Sequence, residues 1–527
     1  MSEMVVTDDS IDRNTWKPKH NPWLIAVVVT LAAFMEVLDT TIVNVSLPHI
    51  AGTLSTTYDN ATWSLTSYLA ANAVVLTISG WLGRVLGRKR YFLICIGMFT
   101  LSSFLCGMAS SLGELIIFRL MQGFFGGGLQ PNQQSIILDI FPPEKRGAAF
   151  GLTAMATVVA PILGPSLGGW ITDSYSWRWV FYLNVPIGII TIFAVIMLLE
   201  DPPWAKKRKE SVDVIGLTLI TVGLACLEVM VDRGEDADWF GSTAICWLAF
   251  FAVVGIVGAI FWLLKAKDPV VDLRAFKDRN FAVSCILMAG LGGCLYASAI
   301  IVPQFSQQII GYTAFLSGLV LTPGGIVIVI LIPLVGRLIN FVQIRYVIAF
   351  GFFWMGTSMF ISAHLTPTLD FNHLVLFRIA QTACLAFLFV PLSTIAFMTI
   401  PAKYNADASA LFSMVRNVLG ALCISGATAL VTNMRQINQA HIVHTMSPLN
   451  QPFNEYLAHM KAAAQQAGYA AHEQTNVAMS YLYKDFQKQV AILAYNDVFM
   501  IIGFCAFAFV PICFLLDGYT ARKKKSK

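Results

Sequence analysis

Two carboxylates stand where an ordinary membrane helix has none. The stretch Trp23 to Pro48 is long and apolar enough to cross a bilayer, whose hydrocarbon core takes about 20 apolar residues. Glu36 and Asp39 fall inside it. A carboxylate at that depth costs about 2.5–3.5 kcal/mol on insertion scales, so its presence marks a use. Three residues apart on a helix, the two face nearly the same side, and Thr40 and Asn44 widen that polar face. Such a face looks at other protein or at a water-filled cavity, not at lipid. Proton gain and loss at these acids is the chemistry that the pattern offers, along a pathway through the membrane.

A base is available at matching depth. Arg119 lies about one turn in from the outer end of the fourth apolar segment, and Asp39 about two turns in from the outer end of the first. We expect Arg119 to hold Asp39 or Glu36 ionised. A carboxyl placed between an opposite charge and apolar surroundings is poised to load and release a proton. A static ion pair that never titrates is the alternative. Asp497, next to Asn496 at the start of the last segment, is a further candidate for proton or cation binding. Gln130, Asn132, Gln133, Gln134 and Ser135 make the inner half of segment four polar, which suits an aqueous vestibule. Glu36, Asn44, Gln122, Gln130, Arg378, Gln381 and Arg416 are the candidate lining of a substrate cavity. Glu228 and Arg416 also read as structural partners or cavity-edge charges.

The elements that must position these groups follow from composition. Of 527 residues, 57% are hydrophobic and 12% charged, against about 25% charged in a soluble domain. Fourteen apolar segments centre on residues 24–47, 61–82, 91–109, 115–140, 148–171, 179–199, 213–231, 243–264, 281–302, 315–339, 346–363, 374–400, 408–432 and 493–516. Lys and Arg gather in alternate loops: Arg84 to Arg90, Lys145 and Arg146, Lys206 to Lys209, Lys265 to Arg279, Arg337 and Arg345, Lys403, and the tail Arg522 to Lys527. Cytoplasmic loops hold such an excess, so both termini are expected in the cytoplasm. The leading segment mixes Asp8, Asp9 and Asp12 with Arg13, Lys17 and Lys19 and lacks the pattern of a cleavable signal, so the first span doubles as the targeting signal. The ten cysteines lie in apolar stretches with no Cys-x-x-Cys pair, and no metal or redox site is expected.

The chain also repeats itself. Phe118-Arg119-Leu120-Met121-Gln122 opens segment four, and Phe377-Arg378-Ile379-Ala380-Gln381 opens segment twelve. Gly83-Arg84-Val85-Leu86 after segment two echoes Gly336-Arg337-Leu338 after segment ten. With segments seven and eight set aside, both echoes fall at matching places in two sets of six. This is the mark of two parallel bundles related by an axis along the membrane normal. The expected layout is a cytoplasmic segment 1–22, a six-helix bundle 23–200, an inserted helix pair 201–280, a second bundle 281–516 carrying an outer loop 433–490, and a basic tail 517–527. The outer loop, polar after Thr432, is expected to form one or two amphipathic helices or to stay a surface loop.

These motifs resemble the major facilitator superfamily, and within it the fourteen-span drug:proton antiporters of the EmrB/QacA type. Leu38-Asp39-Thr40-Thr41-Ile42-Val43-Asn44-Val45-Ser46-Leu47-Pro48 is similar to the signature of that family's first helix. Gly80-Trp81-Leu82-Gly83-Arg84-Val85-Leu86-Gly87-Arg88 matches the superfamily's loop motif, and Gly151, Ala160, Gly164-Pro165 and Gly168-Gly169 keep the spacing of the antiporter motif in helix five. Trp177-Arg178-Trp179-Val180-Phe181, Asn184-Val185-Pro186-Ile187-Gly188 and Asp213-Val214-Ile215-Gly216 add further matches. Arg84 stands where the superfamily carries Asp, which argues against the usual Asp-mediated latch between cytoplasmic ends.

The resemblance implies an all-α polytopic membrane protein of the major facilitator fold, with two six-helix bundles plus an inserted pair. It implies a secondary active transporter of the bacterial inner membrane, not an enzyme, exporting hydrophobic or cationic compounds against protons by alternating access. No cofactor beyond the proton gradient is expected, and no nucleic acid. A periplasmic adaptor and an outer-membrane channel are the implied partners, with the outer loop as docking element. Gly80, Arg84, Gly87, Arg88, Gly164, Pro165, Gly168 and Gly169 are the implied conformational positions, and Asp39 is favoured over Glu36 as proton carrier. The alternatives are a dedicated exporter of one metabolite or siderophore and, more remotely, a membrane-embedded enzyme. The chain lacks His-Glu-x-x-His, Gly-x-x-x-x-Gly-Lys and any Cys/His ligand set.

Overall fold

The computed structural model describes residues 16, 18–202, 204, 212–366, 369–401 and 404–520. The charged residues of the first fifteen positions, Lys17, the cluster Lys206 to Lys209, Lys403 and the tail cluster Arg522 to Lys527 lie outside the described residues.

The first stretch of chain forms α1 (Pro22–Thr53), α2 (Tyr58–Ala61), α3 (Trp63–Leu86), α4 (Arg88–Met108), α5 (Leu112–Gly126), α6 (Leu129–Ile140), α7 (Pro143–Ser174), α8 (Arg178–Tyr182) and α9 (Asn184–Leu198). Two helices follow, α10 (Val214–Arg233) and α11 (Thr243–Lys265), packed on each other. The remainder is α12 (Arg279–Phe305), α13 (Ala314–Leu338), α14 (Ile344–Ser362), α15 (Phe371–Ala396), α16 (Asn405–Ile442), α17 (Gln451–Gln466) and α18 (Gln474–Cys513). Asn21, Asp213, Asp278, Thr313 and Asp370 cap α1, α10, α12, α13 and α15 with side-chain oxygens, which satisfies amides that no lipid could satisfy.

Among the described residues, thirteen helices are long and apolar enough to cross a membrane. The fourteenth expected segment, 115–140, is broken into α5 and α6 at Gly127 and Gly128, where a side chain would collide with α3 and α4. The last two spans also depart from the expected boundaries. α16 runs on to Ile442 and α18 begins at Gln474, so both ends of the outer loop are extensions of spans. Between them α17 lays Phe453 and Ala464 against α18.

Two contacts bring the halves together along their length. α7 packs on α13 and α15, and α16 packs on α3 and α6. α10 lies beside both α3 and α16, at the same seam. At the end carrying Arg84 to Arg90, called here the basic end, the rings of Phe150 and Phe397 stack across the seam with centroids 5.6 Å apart.

Candidate functional site

α1 owes its place to two glycines. A side chain at Gly164 would lie 2.2 Å from Thr41 Oγ1, and one at Gly168 would lie 2.9 Å from the Ile42 carbonyl. Small residues four apart thus let α7 seat directly on the backbone of α1. These two positions therefore serve packing inside the first half. Of the three implied glycines in α7, Gly169 is the one that looks across the seam, with a would-be side chain 3.7 Å from the Phe315 amide. Pro165 lies inside an α7 that stays continuous.

Held in this way, Asp39 points into its own half and is fully buried, as is Arg119. Arg119 Nη1 donates to Asp39 Oδ2 at 2.5 Å and to Gln122 Oε1 at 2.9 Å, and its Nε donates to the Ser64 carbonyl at 3.2 Å. The other carboxylate oxygen accepts from Gln122 Nε2 at 2.9 Å and from Asn184 Nδ2 at 2.7 Å. The guanidinium lies over the Tyr68 ring at 4.2 Å. Opposite charge, two amides and an aromatic face together make burial of this pair tolerable.

Glu36 serves a different place. Its oxygens accept from Asn72 Nδ2 at 3.0 Å and from Gln130 Nε2, and the Gln130 carbonyl in turn accepts from Arg416 of α16. One amide thus joins an acid of the first half to a base of the second. The expectation that Arg119 pairs with Asp39 or Glu36 resolves to Asp39. The two acids that a helical wheel puts on one face part company, because α5 and α9 flank one while α3 and α6 flank the other.

The remaining candidates are scattered. Asn44 is exposed. Asp497 accepts from Asn438 at 2.7 Å, and lies well inside the continuous α18 rather than at its start. Arg378 donates to Ser298 Oγ at 3.2 Å and to Gln381 Oε1 at 3.3 Å, within the second half. Glu228 is buried on α10, one turn from Asp232, which accepts from Thr66 of α3. Its carboxyl group makes no hydrogen bond or ion pair among the described residues.

At the basic end, Arg84 Nη1 meets Asp407 Oδ2 at 2.5 Å. An ion pair therefore joins the two halves at this end although Arg84 stands where an acid was expected: the first half brings the cation and α16 brings the acid. Gly80 makes room for it, since a side chain there would lie 2.8 Å from Asp407 Oδ1. Gly87 turns the chain between α3 and α4 at φ +84, a left-handed conformation that suits glycine. Arg88 pairs with Asp139 of α6.

Sequence reasoning gave no role to Asp407, Asn184, Asn72 or Ser298. Asp407 had a signal: an Arg where an Asp is usual calls for a counter-charge at the same end of the other half. Asn72 and Ser298 had none, being single polar residues in apolar spans.

The chain matches the Major Facilitator Superfamily over residues 29–423. It is 37% identical over 459 residues to the multidrug export protein EmrB of Escherichia coli, covering 86% of this chain and 89% of that one. EmrB of Haemophilus influenzae is 36% identical over 478 residues, 90% and 92% of the two chains. The fatty acid resistance protein FarB of Neisseria gonorrhoeae is 34% identical over 486 residues, 92% and 94%. Among solved structures, a peptide transporter of the POT type superposes with a TM-score of 0.57 at 16% identity, covering 96% of this chain and 100% of that one. The human organic anion transporter MFSD10 gives a TM-score of 0.55 at 12% identity, covering 93% and 100%. At such identities the structural likeness speaks to the fold alone.

Proposed function

Because this chain belongs to the major facilitator superfamily and is one of its EmrB-like multidrug efflux transporters, a multi-pass protein of the bacterial inner membrane, we propose that it exchanges protons for hydrophobic or cationic compounds by alternating access. The observation that carries this reading is the fully buried Asp39–Arg119 pair. An acid at that depth is retained at a cost, and here Arg119, Gln122 and Asn184 occupy both of its oxygens. When the guanidinium swings off, a proton takes its place on Asp39. The membrane potential adds about 2.3 kcal/mol per charge per 100 mV to such exchange.

Glu36, Gln130 and Arg416 form the polar centre between the halves, where a cationic head displaces the Gln130 amide from Glu36. Arg84 and Asp407 close the basic end, which the excess of Lys and Arg assigns to the cytoplasm, together with both termini. The chain needs no cofactor beyond the proton gradient. In the cell it works with a periplasmic adaptor and an outer-membrane channel, engaged through α17 and the extended ends of α16 and α18.

The test is efflux of ethidium from proteoliposomes under an imposed pH gradient. Uphill movement is expected from the parent, none from Asp39→Asn or Arg119→Ala, and a selective loss for cations from Glu36→Gln. Full uphill pumping by Asp39→Asn would sink the proposal.

A further inference from the structure

We propose that the inserted pair, α10 and α11, is a strap across the seam at the end opposite the basic one, fixed to the first half and parting from the second at α16. Three consecutive residues at the end of α10 carry the argument. Val231 offers its carbonyl to the Ser425 hydroxyl of α16, in the second half. Asp232 accepts from the Thr66 hydroxyl of α3, in the first half. Arg233 donates to the Asp59 carbonyl of α2 at 2.9 Å, and its guanidinium lies over the ring of Trp63, the first residue of α3, at 4.3 Å. One stretch of backbone thus holds both halves. α3 and α16 cannot separate at this end unless α10 lets go of one of them.

The two grips are unequal. Toward the first half there is a hydroxyl on a carboxylate, a guanidinium on a carbonyl, and the same guanidinium over an aromatic face. Hydrogen bonds from a charged donor are about twice as strong as neutral ones. Toward the second half there is one bond between a neutral hydroxyl and a carbonyl. α10 also packs more extensively on α3 than on α16. The weaker grip yields, so the pair travels with the first half. The parting uncovers one particular side chain. Glu228 lies three residues before Val231, which puts both on one side of α10. It is 5% exposed and has no hydrogen bond or ion pair among the described residues. An acid kept in an apolar span without a donor fits a place that water reaches for part of the cycle. The strap rests on the alternating-access reading, and its test carries a control for that reading.

The test uses spin labels on the full chain in nanodiscs, with and without ethidium, at Asn60 of α2, Thr243 of α11 and Asn433 of α16, all exposed, with the exposed cysteines changed to Ser. The 60–433 and 243–433 distances should lengthen together, and the 60–243 distance should stay fixed. Ser425→Ala removes the one bond to α16 and should raise the long-distance population about fivefold, the worth of an ordinary hydrogen bond. Thr428→Ala, whose hydroxyl bonds only within α16, should leave it unchanged. Glu228→Cys should react with a membrane-impermeant thiosulfonate, and faster by a similar factor when Ser425→Ala is added. The inference is overturned if 60–243 lengthens while 243–433 stays fixed, if Ser425→Ala acts no differently from Thr428→Ala, or if the Glu228→Cys rate ignores Ser425→Ala. Labels at Arg90 and Pro401, exposed at the basic end, are the control. A change there with all three distances at this end fixed overturns the strap alone, whereas no change at either end sinks alternating access and the strap with it.

Discussion

Reversing the charges of the basic-end latch separates its polarity from its mere presence. Arg84→Asp sets an acid against Asp407, and Asp407→Arg sets a base against Arg84. Breaking a buried pair costs about 3–5 kcal/mol and an exposed one about 0–1. Side-chain exposures of 22% for Arg84 and 6% for Asp407 fall between these cases, and we take about 2 kcal/mol, a factor of about 30 in the closed-to-open ratio. The double variant restores an ion pair of opposite sense and should return the ratio to within a few fold. The assay is the distance between spin labels at Arg90 and Pro401, both exposed at this end, with the exposed Cys246, Cys423 and Cys505 changed to Ser. Each single variant should populate a longer distance and the double variant the parental one. If the single variants leave the distribution unchanged, or the double variant is as open as they are, Arg84 and Asp407 do not hold the halves together.

Three further outcomes follow from named contacts. Arg119→Ala leaves Asp39 buried with two amides and no cation, and should lower stability by about 3–5 kcal/mol, read as a drop in melting temperature. Adding Asp39→Ala should recover most of that loss while efflux stays abolished. Gly168→Ala drives a methyl group into the Ile42 backbone and should cost about 1–3 kcal/mol, whereas Gly52→Ala, with no atom within 4 Å, should lie within about 0.5 kcal/mol of the parent in thermal unfolding. Gln130→Leu removes a donor from Glu36 and an acceptor from Arg416. Each group left short should cost about 1–3 kcal/mol, and Glu36→Gln in the same chain should return part of it in the same measurement.

The spans and the meeting of Asp39 with Arg119 were legible because each rests on a strong local signal: hydropathy, or a charge too costly to keep idle. Depth along a helix, at 1.5 Å per residue, needs no tertiary knowledge. Azimuth does. Periodicity puts Glu36 and Asp39 on one face, yet about 60° of difference separates a path into α5 and α9 from a path into α3 and α6. The same limit hid Ser298, a single hydroxyl in an apolar span whose contact with Arg378 depends on how α12 and α15 face each other. Motif comparison at one position shows only a missing acid at Arg84, and the counter-charge that it meets lies 323 residues away.

α16 makes polar contacts at three depths, one with the inserted α10 and two with the first half, and their spacing sets the order expected if the basic end opens. Ser425 donates to the Val231 carbonyl of α10, Arg416 meets Gln130, and Asp407 meets Arg84. Successive members are nine residues apart, or about 13.5 Å along the helix. Take Ser425 as the fixed point when the basic end opens. A tilt of about 10° then moves Arg416 by roughly 2 Å and Asp407 by roughly 5 Å, from rises of about 13.5 and 27 Å. A hydrogen bond is lost beyond about 3.5 Å between heavy atoms. The Arg84–Asp407 pair, at 2.5 Å, cannot follow 5 Å of travel, because the short Asp407 side chain has no reach and Arg84 would have to supply all of it. Arg416 can follow 2 Å by adjusting its own torsions. Under the proposed alternating access, the Arg84–Asp407 pair is therefore expected to part while the Glu36–Gln130–Arg416 bridge still holds, and a cationic head arriving from the basic end would meet a Glu36 whose bridging amide is in place. On that proposal it would have to displace the amide to bind, and Glu36→Gln is expected to remove the preference for cations in the ethidium assay.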